Sequence, residues 1–365
     1  MSEPESLREI AGKSFGEVID LSVGSPTDPA PHVVVERLRE AERLGGYPAS
    51  AGFPDLRAAY ERWVVKRFGM ALDQLSAGMC LGTKEFIASL PGLLRTLQPD
   101  RDVLLYPSVS YPTYRFGAEI AGLQPVAVPL AEDGVMDFER VDRQLRERAL
   151  LCWVNAPSNP TGVSRGIKEA VDFGEKSGCV VASDECYVDY VWSGEPTSAA
   201  SIRSERVLSV HSLSKRSNLA GLRVGGYLGD PAIVSQLLRL RREAGLMIPG
   251  PIQIAAIAAY EDEEHVAMQR SRYHARLVML RDALAGRGFE VALPEGGIYL
   301  WFKGPSDRFP TGRSLARYLA EIAGVVVSPG DQFGADSTSY VRMAMCAPTS
   351  LISLIAERIS SSAHL

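Results

Sequence analysis

His211-Ser-Leu-Ser-Lys-Arg-Ser-Asn-Leu-Ala-Gly-Leu-Arg223 lies between two short apolar runs, residues 207–210 and 224–228. A lone lysine usually sits on a solvated surface. Lys215 instead follows what reads as a buried strand and stands among small hydroxyl residues. A lysine that forms a Schiff base needs a neutral amine, which burial and nearby cations favour. A phosphate needs a forked arginine and small hydrogen-bond donors. Ser212, Lys215 and Arg223 supply that combination.

Three further stretches extend the pattern. Asn155-Ala-Pro-Ser-Asn-Pro-Thr-Gly162 ends a strand in a rigid loop, as Asn, Pro and Gly favour. Ser183-Asp-Glu-Cys-Tyr187 ends the next strand and puts Asp184 where α/β sheets place ligands. Gly82-Thr-Lys-Glu85 opens a helix, whose free N–H groups suit a phosphate. Each has a plainer reading: a turn, a helix-capping acid, and an ordinary N-cap made by Thr83.

From residue 80 to 228, short apolar runs alternate with helical stretches. Strands are expected at 102–106, 125–129, 149–155, 179–183, 207–210 and 224–228. Helices are expected at 85–97, 114–121, 138–148 and 167–174. This alternation predicts an α/β fold with a mostly parallel central sheet flanked by helices. Before it come an extended segment at 18–23, helices at 33–43 and 56–68, and a Gly/Pro/Ser-rich loop at 45–54. Beyond residue 232 the pattern becomes α+β. Helices are expected at 232–242, 252–286 (one long stretch, with room for a kink), 314–322 and 351–360. Strands are expected at 299–302, 324–327 and 340–345. Three parts follow: a segment 1–35 joining the small domain, a large domain 36–245, and a small C-terminal domain 246–365.

The chain has 365 residues, too many for one ordinary core, and a net charge of −5 with both signs scattered. Neither nucleic acid nor an anionic membrane is an expected partner. Residues 1–7 are acidic and polar, unlike a signal peptide, and no run approaches membrane-span length, so a cytoplasmic protein is expected. The five cysteines, at 80, 152, 179, 186 and 346, have no zinc-type spacing and read as buried thiols. The five histidines do not cluster, so no metal is expected, and His211 reads as packing. No Gly-x-Gly-x-x-Gly follows a strand, and Walker and His-Glu-x-x-His motifs are absent.

Taken together, Asn-Pro-Thr-Gly, Asp-x-x-Tyr and Ser-x-x-Lys followed by Arg223 resemble the fold-type-I, aspartate-aminotransferase-like enzymes. The likeness spans nearly the whole chain, from about residue 21 to 359. It implies pyridoxal 5′-phosphate as cofactor, Lys215 as its Schiff-base lysine and proton shuttle, and Asp184 as partner of the pyridinium nitrogen. Asn159 and Tyr187 would donate to the ring 3-oxygen. Tyr111 would stack on the ring, although it also reads as a core aromatic. Gly82, Thr83 and Lys84, with Ser212 and Arg223, would hold the phosphate. Arg342 would clamp the substrate carboxylate, beside Asn159 and the Gly24 backbone. Tyr47 would reach the phosphate of a partner subunit, which implies a homodimer with shared sites.

Within that family the chain looks most like actinobacterial N-succinyl-L,L-diaminopimelate aminotransferases of lysine biosynthesis. The carriers are Asp20-Leu-Ser-Val-Gly-Ser-Pro-Thr-Asp-Pro29 and the stretches around residues 82–91, 183–187 and 211–221. The implied substrates are an amino acid and a 2-oxo acid. A long dicarboxylate needs a second anion site, for which Lys84, Arg216 and Arg115 are candidates that read equally well as surface or helix-pairing charges. Alternatives are an aminotransferase of other specificity, an oxidase or lyase of secondary metabolism, and a non-catalytic cofactor-binding regulator. The last would need a preceding DNA-binding domain, for which only about 20 residues are present.

Overall fold

The computed structural model describes residues 5–41 and 45–362. The first strand, β1 (Ile19–Asp20), is short and pairs far along the chain. The next seven form the main sheet: β2 (Ser76–Cys80), β3 (Val103–Pro107), β4 (Gln124–Val128), β5 (Ala149–Asn155), β6 (Val180–Asp184), β7 (Val207–Ser212) and β8 (Gly225–Gly229). Their spatial order is β2-β8-β7-β6-β5-β3-β4. The strands from β3 to β7 run parallel, and β8 runs against both of its neighbours. The expected α/β fold with a mostly parallel sheet is present.

The reason lies in the strand sequences. β5 reads Ala-Leu-Leu-Cys-Trp-Val-Asn, and every residue of it is buried. Near-continuous apolar runs suit a parallel strand covered by helices on both faces. Trp153 stacks on Tyr114 from helix Thr113–Ile120, with ring centroids 5.2 Å apart. Burying each such aliphatic or aromatic side chain contributes about 1.5–3 kcal/mol. Register then decides the site. Asn155 lies opposite Asp184, and Asp184 lies opposite Val210. The carboxyl ends of β5, β6 and β7 therefore deliver their three motif-bearing loops to one edge.

The remaining strands are β9 (Tyr299–Lys303), β10 (Val325–Val326), β11 (Ser328–Pro329) and β12 (Tyr340–Ala344). β12 is the centre of an antiparallel sheet, β11-β12-β9, and β10 pairs in parallel with β1. Helices Glu264–Ala285, Gly312–Ala323 and Thr349–Ser361 pack against this unit, whose core includes Leu277, Leu300, Leu319 and Ile355. Among the described residues, no helix is long and apolar enough to cross a membrane.

Several local expectations change. The N-terminal arm contains a helix, Leu7–Phe15, started by a capping box between Ser6 and Glu9. The helix expected at 33–43 spans His32–Arg39, and residues 42–44 lie outside the described ones. The stretch 138–148 is two short pieces, Phe138–Arg140 and Arg143–Arg148, parted where Val141 turns extended. The long stretch 252–286 is also two helices, Gly250–Glu261 and Glu264–Ala285, separated at the extended residue Asp262. All five cysteines are buried and unpaired.

Candidate active site

A cavity of about 700 Å³ opens at the carboxyl ends of β5, β6 and β7 and is closed on its far side by residues of β9, β11 and β12. Lys215, Asp184, Tyr187, Asn159, Tyr111, Thr83, Lys84, Ser212, Arg223, Gly24 and Arg342 all line it. Stretches up to 318 residues apart in the chain, from Gly24 to Arg342, thus meet in one place.

Lys215 lies within a single helical turn after β7, Leu213–Arg216, which Ser212 caps by accepting from the Ser214 N–H at 3.1 Å. Its Nζ donates to the Gly24 carbonyl. Burial lowers the pKa of this amine, and the nearby Arg342 and Arg223 cations add to the effect. Asp184 is buried at the end of β6. Its carboxylate accepts from the Tyr114 hydroxyl at 2.7 Å and the Cys186 N–H at 3.1 Å. Burial raises its pKa despite these donors.

Asn155 ties two of the motif loops together. Its Nδ2 donates to the Asp184 carbonyl at 2.8 Å, and its Oδ1 accepts from the Asn159 N–H at 2.7 Å. Beneath them Glu185 is fully buried, accepting from the Ala199 N–H at 2.9 Å and the Ser209 hydroxyl at 2.8 Å. His211 Nε2 lies 2.7 Å from the same carboxylate, and its Nδ1 lies 2.7 Å from the Tyr60 hydroxyl. His211 is thus a buried structural residue that locks β7 to β6, in line with its reading as packing.

Opposite Lys215, Arg342 projects from the central strand β12. Its Nη1 donates to Asn159 Oδ1 at 2.7 Å and its Nη2 to the Ser22 carbonyl. The guanidinium lies between the rings of Tyr299 and Phe333, 4.4 and 4.7 Å from their centroids. Its Nε is buried and has no hydrogen-bond partner among the described residues. Arg342 lines the cavity and has no carboxylate partner among the described residues, so its buried charge is suited to an anion bound in the cavity.

A second cationic corner forms where helix Thr83–Leu97 begins. Gly82 caps this helix at φ 78° and no side chain caps it, so the N-cap role considered for Thr83 is not the one it plays. The Arg223 guanidinium packs so close that a Cβ on Gly82 would lie 2.4 Å from its Nη2. Ser212 and Thr83 complete the corner, and Lys84 stands exposed at the rim.

The profile of the family "Aminotransferase class I and II" matches residues 16–359. The chain belongs to the class I and II aminotransferases. It is 36% identical over 353 residues to the 4-dedimethylamino-4-oxo-anhydrotetracycline transaminase of Streptomyces rimosus, covering 94% of this chain and 93% of that protein. It is 32% identical to the LL-diaminopimelate aminotransferase of Aquifex aeolicus, covering 94% and 91%. Among solved structures, the probable N-succinyldiaminopimelate aminotransferase of Thermus thermophilus superposes with a TM-score of 0.86 at 30% identity, covering 97% of this chain and 98% of that one.

Enzymes of this family depend on pyridoxal 5′-phosphate, and the residues present fit that group. A lysine with a lowered pKa, a buried carboxylate, a helix start beside Arg223 with no side-chain cap among the described residues, and the buried cation of Arg342 stand around one cavity. Tyr111 lines that cavity half-buried, edge-on to Tyr114 at 5.9 Å, and also packs against the core that holds Tyr114 and Trp153.

Not every candidate of this aminotransferase lies there. Tyr47 is 97% exposed and away from the cavity. Arg216 is buried and committed: it donates to Glu263 at 2.6 Å and to the Ala259 carbonyl at 2.5 Å, so it is no distal anion site. Arg115 pairs with Glu119 one helical turn away at 2.7 Å and does not line the cavity. Sequence reasoning did not single out Tyr299 or Phe333. Their signal was faint: one aromatic in the strand after Gly296-Gly297 and one in the loop before β12.

Proposed function

We propose that this aminotransferase carries the amino group from glutamate to a long acceptor with two carboxylates, of the N-succinyl-2-amino-6-oxopimelate kind. The observation that carries the transfer chemistry is the enclosed Lys215 amine, which shares one cavity with Asp184 and Arg342. When bound, pyridoxal 5′-phosphate supplies an electron sink for the carbanion left when an α-proton departs.

In this reading Lys215 would hold the cofactor covalently through Nζ, and the same Nζ, when free, would be the group that takes and returns the substrate α-proton. Asp184 holds the ring nitrogen protonated. Asn159 and Tyr187 donate to the ring 3-oxygen, and Tyr111 packs on the ring face. The N–H groups of the Gly82–Lys84 turn, with Ser212 and Arg223, hold the phosphate. Arg342 grips the α-carboxylate bidentately, supported by Asn159 and the Gly24 backbone. Residues 36–245 form the cofactor-binding unit, and 1–35 with 246–365 the smaller unit. The exposed Tyr47 supports a homodimer in which it reaches the phosphate of the second copy.

The acceptor assignment rests on less. Three cations at the cavity are occupied by the roles above, which leaves Lys84, for which no ion pair is formed among the described residues, to meet a second carboxylate. The name of the Thermus relative supports the same class. A second reading is favoured by the 36% identity to the Streptomyces enzyme, whose name describes a tetracycline-type oxo substrate.

A half-reaction screen tests both. The yellow enzyme is mixed with glutamate, aspartate, N-succinyl-L,L-diaminopimelate or aromatic amino acids, and the loss of visible absorbance is followed. Glutamate and the succinylated substrate reacting fastest is the expected result. Aromatic amino acids reacting far faster overturns the acceptor class. Release of oxo acid without a stoichiometric amino acceptor overturns transamination in favour of an oxidase.

A further inference from the structure

Arg241 is completely buried, yet it belongs to helix Pro231–Glu243, which packs against β2, β8 and helix Thr83–Leu97 outside the cavity. Its two terminal nitrogens donate to Glu85 at 3.0 and 2.7 Å, and its guanidinium lies 5.5 Å from the Phe86 ring. Glu85 also accepts from the Ser89 hydroxyl at 2.8 Å. Every donor to this carboxylate stands on its own helix or behind it, and Glu85 does not line the cavity although Thr83 and Lys84 do.

Stability alone does not explain the pair. A buried ion pair is commonly matched or bettered by apolar residues of the same volume. The location supplies a different reason. Glu85 is the third residue of the helix whose uncapped N-terminus faces the cationic corner. A carboxylate in a first turn competes with any external anion for the same N–H groups and the same field.

We propose that Arg241 neutralises Glu85 and draws it to the rear of the helix, so that the N-terminus is left free for the cofactor phosphate. This makes Arg241 a positioning residue for cofactor affinity, and it rests on the phosphate-site reading given above. The pair converts a local negative charge into a neutral unit one helical turn from a dianion.

The test uses apo-enzyme titrated with pyridoxal 5′-phosphate and, separately, with pyridoxal, which lacks the phosphate. Arg241→Met is expected to weaken binding of the phosphorylated form by about 10-fold or more, and more strongly at low salt, as unscreened repulsion requires. Pyridoxal binding is expected to change less than about 3-fold, because no second anion is present. Glu85→Gln combined with Arg241→Met is expected to restore phosphate-dependent affinity. Equal weakening for both ligands, or no recovery in the double variant, overturns the proposal in favour of a packing role. Wild-type apo-enzyme that binds the two ligands equally overturns the phosphate-site reading itself.

Discussion

The hydroxyl of Tyr299 lies 2.7 Å from that of Tyr187, while the Tyr299 ring lies 4.4 Å from the Arg342 guanidinium. One side chain therefore touches both ends of the proposed substrate site. Its hydroxyl meets Tyr187, proposed to serve the cofactor ring, and its face meets Arg342, the proposed carboxylate clamp. If Tyr187 donates to the ring oxygen, Tyr299 must donate to Tyr187. Tyr299→Phe removes that bond, worth about 0.5–1.5 kcal/mol, and keeps the ring. The visible absorbance should then titrate up to about one pH unit higher, with KM nearly unchanged. Tyr299→Leu removes the cation–π partner too, and KM for the amino donor should rise about 5- to 30-fold. Spectral pH titration and steady-state kinetics check the two halves. A common shift in both parameters for both variants would show that the two contacts are not separable.

Lys215→Ala should abolish turnover and the lysine-linked visible absorbance, because it removes the group proposed to form the Schiff base and move the proton. Borohydride treatment of wild type, followed by peptide mapping, should place the cofactor on Lys215. A Lys215→Ala protein that still turns over with its absorbance intact would refute the assignment.

Asp184 gives a prediction whose sign depends on the cofactor. In the apo-protein, burial raises this carboxyl above the ordinary aspartate value of 3.8. A group with a raised folded pKa contributes its full stability below the unfolded value and loses it as pH rises through the folded one. Asp184→Asn removes this penalty. The apo-variant should melt higher than apo-wild type near about pH 8, with the gain shrinking toward about pH 4. With cofactor bound, the same change removes the anion proposed to pair with the ring nitrogen, and kcat should fall at least ~100-fold. An apo-variant less stable than wild type at neutral pH would show that the Tyr114 and Cys186 hydrogen bonds outweigh burial.

Much of this site was legible because it is built from strand ends. An apolar run ending in Asn-Ala-Pro-Ser-Asn-Pro, Asp-Glu-Cys-Tyr or His-Ser-Leu-Ser-Lys places its polar residues at the sheet edge wherever parallel strands align. Burial at β5 follows from composition alone. What was not legible depends on distant partners. Arg216 reads like an available cation, and only the fold shows it held by Glu263 and Ala259, over 40 residues on. The break at Asp262 interrupts a helical pattern that the apolar spacing on either side does not mark. Tyr299 becomes functional only because β9 pairs with β12, opposite whose Ala344 it lies, two residues from Arg342.

Gly24 shows how tightly the two halves of the site are fitted. Its carbonyl accepts from Lys215, and a Cβ at this position would lie 2.0 Å from the Tyr299 hydroxyl and 2.9 Å from the adjacent ring carbon. Gly24→Ala must therefore displace the segment 22–25, the Tyr299 ring, or both. Overpacking of this kind costs about 1–3 kcal/mol. Because Tyr299 underlies Arg342 and Ser22 accepts from it, the displacement should appear as a KM rise of about 10-fold or more for the amino donor. Tyr299→Phe removes the closest atom of the clash. In the Gly24→Ala background it should therefore improve KM, although in the wild-type background it leaves KM nearly unchanged. Kinetics on the four proteins would measure this coupling. Strictly additive effects would mean that Gly24 acts through its carbonyl to Lys215 and not through the space that Tyr299 occupies.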